Sequence, residues 1–147
     1  MRICTQPGKN FIIIKKPMNK PTTPFPEEYY DKGKKLIESL DNEGFRYPII
    51  FWINLPDKKE WSLLFGIPGL KLIGKNDILG NMKKIIRENA IDLIADKISL
   101  IDSTDPLCIT LKKNFRMEEN ESIIKVRISA MNVGGFQLPE TVIYRIR

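Results

Sequence analysis

The sequence predicts an α+β fold, a two-layer domain in which a mainly antiparallel sheet of about five strands carries two or three helices on one face. Three observations support this class. Residues 48–67 and 122–147 each contain two strand-like apolar runs joined by turn residues. Other segments repeat apolar residues at helical spacing. The elements follow the order helix, hairpin, helix, strand, helix, hairpin.

The first hairpin carries both tryptophans, Trp52 and Trp61. Its first arm, residues 49–55 (IIFWINL), is a nearly unbroken run of β-branched and aromatic residues, which is typical of a strand covered on both faces. Residues 56–59 (PDKK) form a turn of a common hairpin length. The second arm ends before Pro68, because proline cannot donate to a strand ladder. We therefore expect residues 49–55 to form a central strand.

Two longer helices follow from apolar periodicity. The first begins near Pro26, whose missing N–H suits a first turn, and Gly44 offers its end. The second is capped by Asn76 or Asp77 and continues to residue 94 with one apolar stripe. Both helices are amphipathic, so each should pack one face on the sheet.

A strand and a short helix come next. Residues 97–103 (KISLIDS) predict the strand. Asp105 and Pro106 then supply a helix cap and a first-turn proline. This helix carries the apolar residues Leu107, Cys108, Leu111 and Phe115.

The second hairpin is predicted over residues 122–133 and 136–147, joined through Gly134 and Gly135, which permit positive φ. Apolar and polar residues alternate along its first arm, which is typical of a strand with one core face and one wetter face. In its last strand Val142, Tyr144 and Ile146 should share one face and Ile143, Arg145 and Arg147 the other.

The first 25 residues form a separate segment in this interpretation. Residues 9–16 (KNFIIIKK) predict a strand or a docked extended arm, and the proline-rich residues 17–26 predict an extended connector. We assign residues 1–25 to this arm and connector and residues 26–147 to a single domain. The arm should be dispensable for folding of the remainder, unless residues 11–14 add an edge strand to the sheet.

Composition bounds the class of protein. The chain has 147 residues, the size of one ordinary domain, with 42% hydrophobic and 29% charged residues. With 24 basic and 18 acidic side chains, the formal charge is +6. This charge suits nucleic acid, anionic lipid or an acidic protein, and it does not choose among them.

The chain contains no histidine, which excludes Ser-His-Asp and Cys-His triads within it. The two cysteines, Cys4 and Cys108, are far apart and have no metal-ligand spacing. Cys108 lies in an apolar position and is interpreted as a small buried hydrophobe. We expect no metal and no cofactor.

The sequence also lacks targeting signals. No apolar run approaches the roughly 20 residues that a membrane-spanning helix needs, and the start MRICTQPGKNF lacks the hydrophobic core of a signal peptide. The expected location is therefore the cytoplasm, without membrane association.

Several segments carry a resemblance to a known family. They are Phe51-Trp52, Glu60-Trp61-Ser62-Leu63, the helix of residues 76–94, Ile98-Ser99-Leu100-Ile101, Ser103-Thr104-Asp105-Pro106-Leu107, Arg127-Ile128-Ser129, Gly134, Glu140 and Tyr144-Arg145-Ile146. In their order they resemble a family of small bacterial proteins of no established function, in which a short helix precedes a tryptophan hairpin. The resemblance implies the fold and a single domain, and residues 1–25 lie outside it.

Carboxylates offer the strongest candidates for catalysis. Asp102 and Asp105 lie at a strand end in a basic chain, as a metal-dependent nuclease would require. A helix cap needs the same Ser-Thr-Asp-Pro pattern, and it explains these residues without a metal. We favour the cap.

The second hairpin offers the main candidate binding surface. Alternation places Lys125, Arg127 and Ser129 on one face of its first arm, and Arg145 and Arg147 on one face of its second. Trp61, beside the charged turn, is a candidate for stacking on bases, whereas Trp52 is expected to be buried. The alternative is that helices cover this face and that each arginine is paired locally.

These observations favour a non-catalytic binding protein that acts through a macromolecular partner, resembling an immunity protein or an adaptor. We expect that partner to be another protein. The alternative is a nucleic-acid-binding protein that uses the basic hairpin face, and a metal-dependent nuclease is the third hypothesis.

Overall fold

The computed structural model describes residues 24–55, 60–93 and 95–147, together with the strand backbone of residues 4–5 and 12–14. The strands are β1 (Cys4–Thr5), β2 (Ile12–Ile14), β3 (Ile49–Leu55), β4 (Glu60–Ile67), β5 (Ile98–Asp102), β6 (Val126–Ile128), β7 (Met131–Val133), β8 (Phe136–Leu138) and β9 (Thr141–Ile146). The helices are α1 (Glu27–Asn42), α2 (Leu70–Ile73), α3 (Lys75–Glu88) and α4 (Pro106–Asn114), with a 3-10 turn at Ala95–Lys97.

The main sheet has the strand order β1-β2-β6-β9-β3-β4-β5. Its body is the five-stranded part from β6 to β5, in which β3 is the middle strand and pairs antiparallel with both β9 and β4. The pairs β2–β6 and β4–β5 are parallel. The α+β class and the mostly antiparallel sheet are confirmed, and so is the central position of β3. The predicted turn at residues 56–59 lies outside the described residues.

The helices divide between the two faces of the sheet. One core cluster joins α1 and α3 to residues such as Trp52, Phe65 and Tyr144, so two helices share a face as predicted. A second cluster joins the buried side of α4 and the β7–β8 hairpin to the opposite face. The short α4 therefore adds a partial third layer to the predicted two.

Both ends of α3 differ from the prediction, and one short helix was not predicted. Helix α3 begins at Lys75 after Gly74, without a side-chain cap, and it ends at Glu88. Leu93 is buried all the same, in the segment after the helix. A single helical turn, α2, forms within residues 66–75, which the glycines and prolines had indicated as loop.

Gly66 allows α4 to lie close to the sheet. A Cβ atom at this position would be 2.8 Å from Cys108 Sγ and 3.0 Å from Ile49 Cβ. Cys108 is buried as predicted, and burial raises the pKa of its thiol to about 12. The cysteine is thus a packing residue between α4 and β4.

The second hairpin is interrupted. Its arms pair as β6 with β9 in the main sheet, and then as β7 with β8 in a separate two-stranded sheet. The break comes at Ser129 and Ala130 on one arm and at Pro139 and Glu140 on the other. Gly134 and Gly135 have positive φ of 54° and 85°, so the predicted glycine turn is confirmed.

A β-bulge in β9 changes which residues face the helices. Arg145 lies opposite Ile50, whereas Phe51 lies opposite Ile143, so Tyr144 is an extra residue in the ladder. Tyr144 and Arg145 consequently both contact α1, through Tyr30 and Asp41. Strict alternation along this strand was wrong, because it placed Tyr144 and Arg145 on opposite faces.

The boundary of the predicted arm falls inside the core. Phe25 is buried, with its ring centroid 4.8 Å from that of Trp61 and 5.9 Å from that of Trp52. Strand β2 also pairs with β6. This pairing agrees with the alternative in which residues 11–14 add a strand to the sheet. The connector at residues 17–23 lies outside the described residues. Phe25 therefore contributes to the core around the two tryptophans.

Candidate binding groove

Lys125 and Arg127 lie beside the start of α1. Lys125 Nζ is 2.8 Å from Glu27 Oε2 and 4.7 Å from the ring centroid of Tyr30. Arg127 Nη1 is 3.9 Å from Glu27 Oε1. The carboxylate of Glu27 thus contacts both cations, and both remain partly exposed.

Arg145 is a buried residue, only 4% exposed. Its guanidinium donates to both carboxylate oxygens of Asp41, at 2.7 and 3.1 Å. It also donates to the carbonyl oxygens of Ser122 at 2.7 Å and of Tyr47 at 3.2 Å. With these contacts Arg145 joins α1 to β9 and is not presented to solvent.

Of the other predicted site residues, Arg147 lines a pocket together with Arg145, whereas Ser129 and Trp61 do not line it. Ser129 is partly exposed just after β6, and Arg147 is exposed after β9 with its Nη2 donating to the carbonyl oxygens of Glu119 and Glu121. Trp61 is only 3% exposed, and Phe25 packs against its ring. The Trp61 ring therefore presents no open face to a nucleic-acid base, and the six predicted residues do not form one surface patch.

A different basic surface lies on the opposite side of the sheet. It is a groove of about 560 Å³ between α4 and the end of β9. We call it the α4–β9 groove. Its lining residues are Ile109, Lys112, Lys113, Phe115, Arg116, Met117, Ile146 and Arg147.

The sequence of α4 determines the outer wall of this groove. Asp105 caps the helix by accepting a 2.9 Å hydrogen bond from the Leu107 N–H, so the cap interpretation of Asp105 is confirmed. Helical periodicity then turns Cys108 and Leu111 toward the sheet. The same periodicity places Ile109, Lys112 and Lys113, at spacings of three and four residues, on the opposite stripe, and Arg116 follows two residues after the helix ends at Asn114.

The floor of the groove is apolar and supported by the second core cluster. Phe115 and Ile146 are buried, and Met117 is partly buried between them and the surface. The Ile146 N–H donates to Met117 Sδ at 3.3 Å, which links the floor to β9. Ile109 is 52% exposed at the edge of the floor. The groove thus offers aliphatic and thioether surface to a ligand.

The rim of the groove is cationic. Lys112, Lys113, Arg116 and Arg147 are all exposed. Within residues 24–55, 60–93 and 95–147, no carboxylate side chain lies within 4.0 Å of any of these four groups, and no Asp or Glu lines the groove. Lys112 and Lys113 also lie in the last turn of α4, where positive charge is favourable. The groove is therefore suited to a ligand that is both anionic and apolar.

The two carboxylates considered for catalysis, those of Asp102 and Asp105, form hydrogen bonds that stabilise the turn before α4 and the start of this helix. Asp102 accepts hydrogen bonds from the Thr104 N–H at 3.0 Å and the Thr104 hydroxyl at 2.8 Å, and these bonds lower the pKa of its carboxyl group. Asp105 is engaged as the helix cap. Among the described residues, no group of three or more acidic or cysteine side chains is placed to hold a metal ion.

Sequence reasoning missed the α4–β9 groove, although part of its signal was present. The buried stripe of α4 was identified from Cys108, Leu111 and Phe115. A helical wheel of the same residues also shows Ile109 among lysines on the outward stripe. The contribution of β9 had no such signal, because it depends on which strand lies beside α4.

The described part of the chain contains no helix with the length and hydropathy to cross a bilayer. Comparison with protein-family models, curated proteins and solved structures finds no match for the chain. Function is therefore inferred from the groove itself.

Proposed function

We propose that the protein is a non-catalytic binding protein that acts through a macromolecular partner, and that the α4–β9 groove is its contact surface. The supporting observation is the combination, in one open groove, of an apolar floor with four exposed cations that have no carboxylate side chain within 4.0 Å among the described residues. Exposed apolar surface with a polar rim is typical of interaction sites. The long cationic side chains at the rim suit an extended partner better than a small enclosed substrate.

A pull-down from the native host tests this function. Lys112→Glu combined with Lys113→Glu reverses the charge of the rim at two exposed positions. The matched control is Lys34→Glu with Lys35→Glu, an exposed lysine pair on α1 with the same change in net charge. A specific partner should be retained by the wild type and the control and lost by the groove variant. Equal retention by both variants would exclude the groove.

Nucleic acid is the second candidate partner, because the chain carries a formal charge of +6 and four exposed cations surround the groove. Fluorescence anisotropy with duplex DNA at several salt concentrations tests it. If all four cations neutralise phosphates, the slope of log affinity against log salt should be about −3 to −4. Binding that does not depend on salt, or is unchanged by the groove variant, would contradict this candidate.

A further inference from the structure

We propose that the α4–β9 groove binds an extended acidic segment of a partner protein, in which carboxylates alternate with aliphatic side chains. This inference rests on the proposed function and names the chemistry of its partner. It follows from three properties of the groove, namely its floor, the cations beside that floor and its acidic neighbours.

The floor favours a polypeptide over nucleic acid. Its accessible part consists of Ile109 and Met117, which offer aliphatic and thioether surface. Its aromatic residue, Phe115, is only 7% exposed, so it presents little ring surface for base stacking. A leucine-like side chain would cover the exposed part of Ile109, whereas a sugar-phosphate backbone would leave that surface without an apolar partner.

The rim places cations beside the apolar floor. Within α4, Ile109 precedes Lys112 and Lys113 by three and four residues, so these side chains are neighbours on the surface of the helix. Successive side chains of an extended chain point to opposite sides. A segment that lies along α4 can therefore direct its carboxylates to the lysines of the rim. Its intervening apolar side chains then face the floor.

The surroundings limit the length of an anionic ligand. Arg147 lines the groove, and its guanidinium donates to the carbonyl oxygens of Glu119 and Glu121. The exposed carboxylates of Glu118 and Glu119 belong to the same loop. A long polyanion such as duplex DNA that continued past Arg147 toward this loop would be repelled by these acids, whereas a short acidic segment confined to the groove would not.

Anisotropy with three fluorescent probes tests the inference. The probes are a short peptide that alternates Glu with Leu, a peptide of equal length and charge that alternates Glu with Gly, and an oligothymidylate of similar length. The wild type should bind the Glu-Leu peptide about tenfold more tightly than either other probe, since partial burial of aliphatic side chains supplies an effect of this size. Equal affinity for the two peptides, tighter binding of the oligothymidylate, or no binding of the Glu-Leu peptide would overturn the inference.

Variants identify the site. Ile109→Ser removes an exposed apolar group and should lower the affinity for the Glu-Leu peptide about tenfold, with little effect on the Glu-Gly peptide. The Lys112→Glu, Lys113→Glu variant should abolish binding of both peptides, and the Lys34→Glu, Lys35→Glu control should bind as the wild type does. Thermal melting verifies that each variant is folded. Unchanged peptide affinity in a folded groove variant would contradict the site.

The peptide and host experiments separate the two proposals. If no peptide binds, but the wild type captures a host partner that the groove variant loses, the acidic-segment inference fails and the proposed function stands. If the groove variant captures the host partner as the wild type does, the groove is excluded as the contact surface and both proposals fail.

Discussion

Replacement of Arg145 by Met is expected to destabilise the protein strongly. The substitution removes four hydrogen bonds and leaves the carboxylate of Asp41 without its cation, on a side chain that is 17% exposed. Removing one partner of a buried ion pair costs about 3–5 kcal/mol, because the remaining charge stays desolvated. For a chain of this length that loss corresponds to a decrease in Tm of roughly 6–20 °C.

Two companion variants isolate the cause. In Asp41→Leu combined with Arg145→Met, neither charge remains buried, so most of the lost stability should return and the double-mutant cycle should show strong non-additivity of the two substitutions. Arg127→Met is the matched control, since its contact with Glu27 is longer, at 3.9 Å, and exposed. It should change the free energy of unfolding by less than about 1 kcal/mol.

Urea denaturation followed by tryptophan fluorescence measures these effects, since both tryptophans are buried. The midpoint should decrease for Arg145→Met while the slope stays constant. A loss below about 1 kcal/mol, equal to that of Arg127→Met, would refute the buried pair. By the same reasoning, Arg145→Glu would place a carboxylate against Asp41 and unfold the protein, so it cannot serve as a test of surface binding.

Three further predictions concern the core. Tyr144→Phe removes the hydroxyl that accepts a hydrogen bond from Trp52 Nε1 at 2.8 Å and donates one to the Tyr30 carbonyl oxygen at 2.6 Å. It should lower the free energy of unfolding, measured by urea denaturation, by about 1–3 kcal/mol, and a loss near zero would contradict this network. Gly66→Ala should lower Tm because its Cβ would be 2.8 Å from Cys108 Sγ, and adding Cys108→Ala should restore part of the loss. In the folded state the pKa values of Cys108 and Tyr30 are raised to about 12, so both groups ionise first in the unfolded chain. The stability that these two groups contribute should be constant below about pH 8 and should be lost as pH rises to 12, with a smaller loss in Cys108→Val.

The sequence predicted those parts of the fold that depend on local patterns. The unbroken apolar run of residues 49–55 indicates a buried strand, and the apolar stripe of α1 can be read from its helical spacing. Asp105 and Pro106 mark the start of α4 by local backbone chemistry. In each case the physical cause lies within a few neighbouring residues.

The remaining features depend on contacts that are distant in sequence. The bulge at Tyr144 forms where β9 meets β3 and α1, and alternation along β9 alone gives no sign of it. Arg145 was expected on a wet face because its acid, Asp41, lies 104 residues away in the chain. The groove likewise needs both α4 and Ile146, which only the folded sheet brings together.

The position of β9 between β6 and β3 has a consequence for biosynthesis. The hydrogen bond between Trp52 and Tyr144 joins residues 92 positions apart, so β3 emerges from the ribosome long before its partner strand exists. At about 5–20 residues per second, this delay is roughly 5–18 s. Throughout that interval one edge of β3 and the aromatic side chains later covered by β9 are exposed in the nascent chain. The protein is therefore expected to need chaperone protection during translation more than after it.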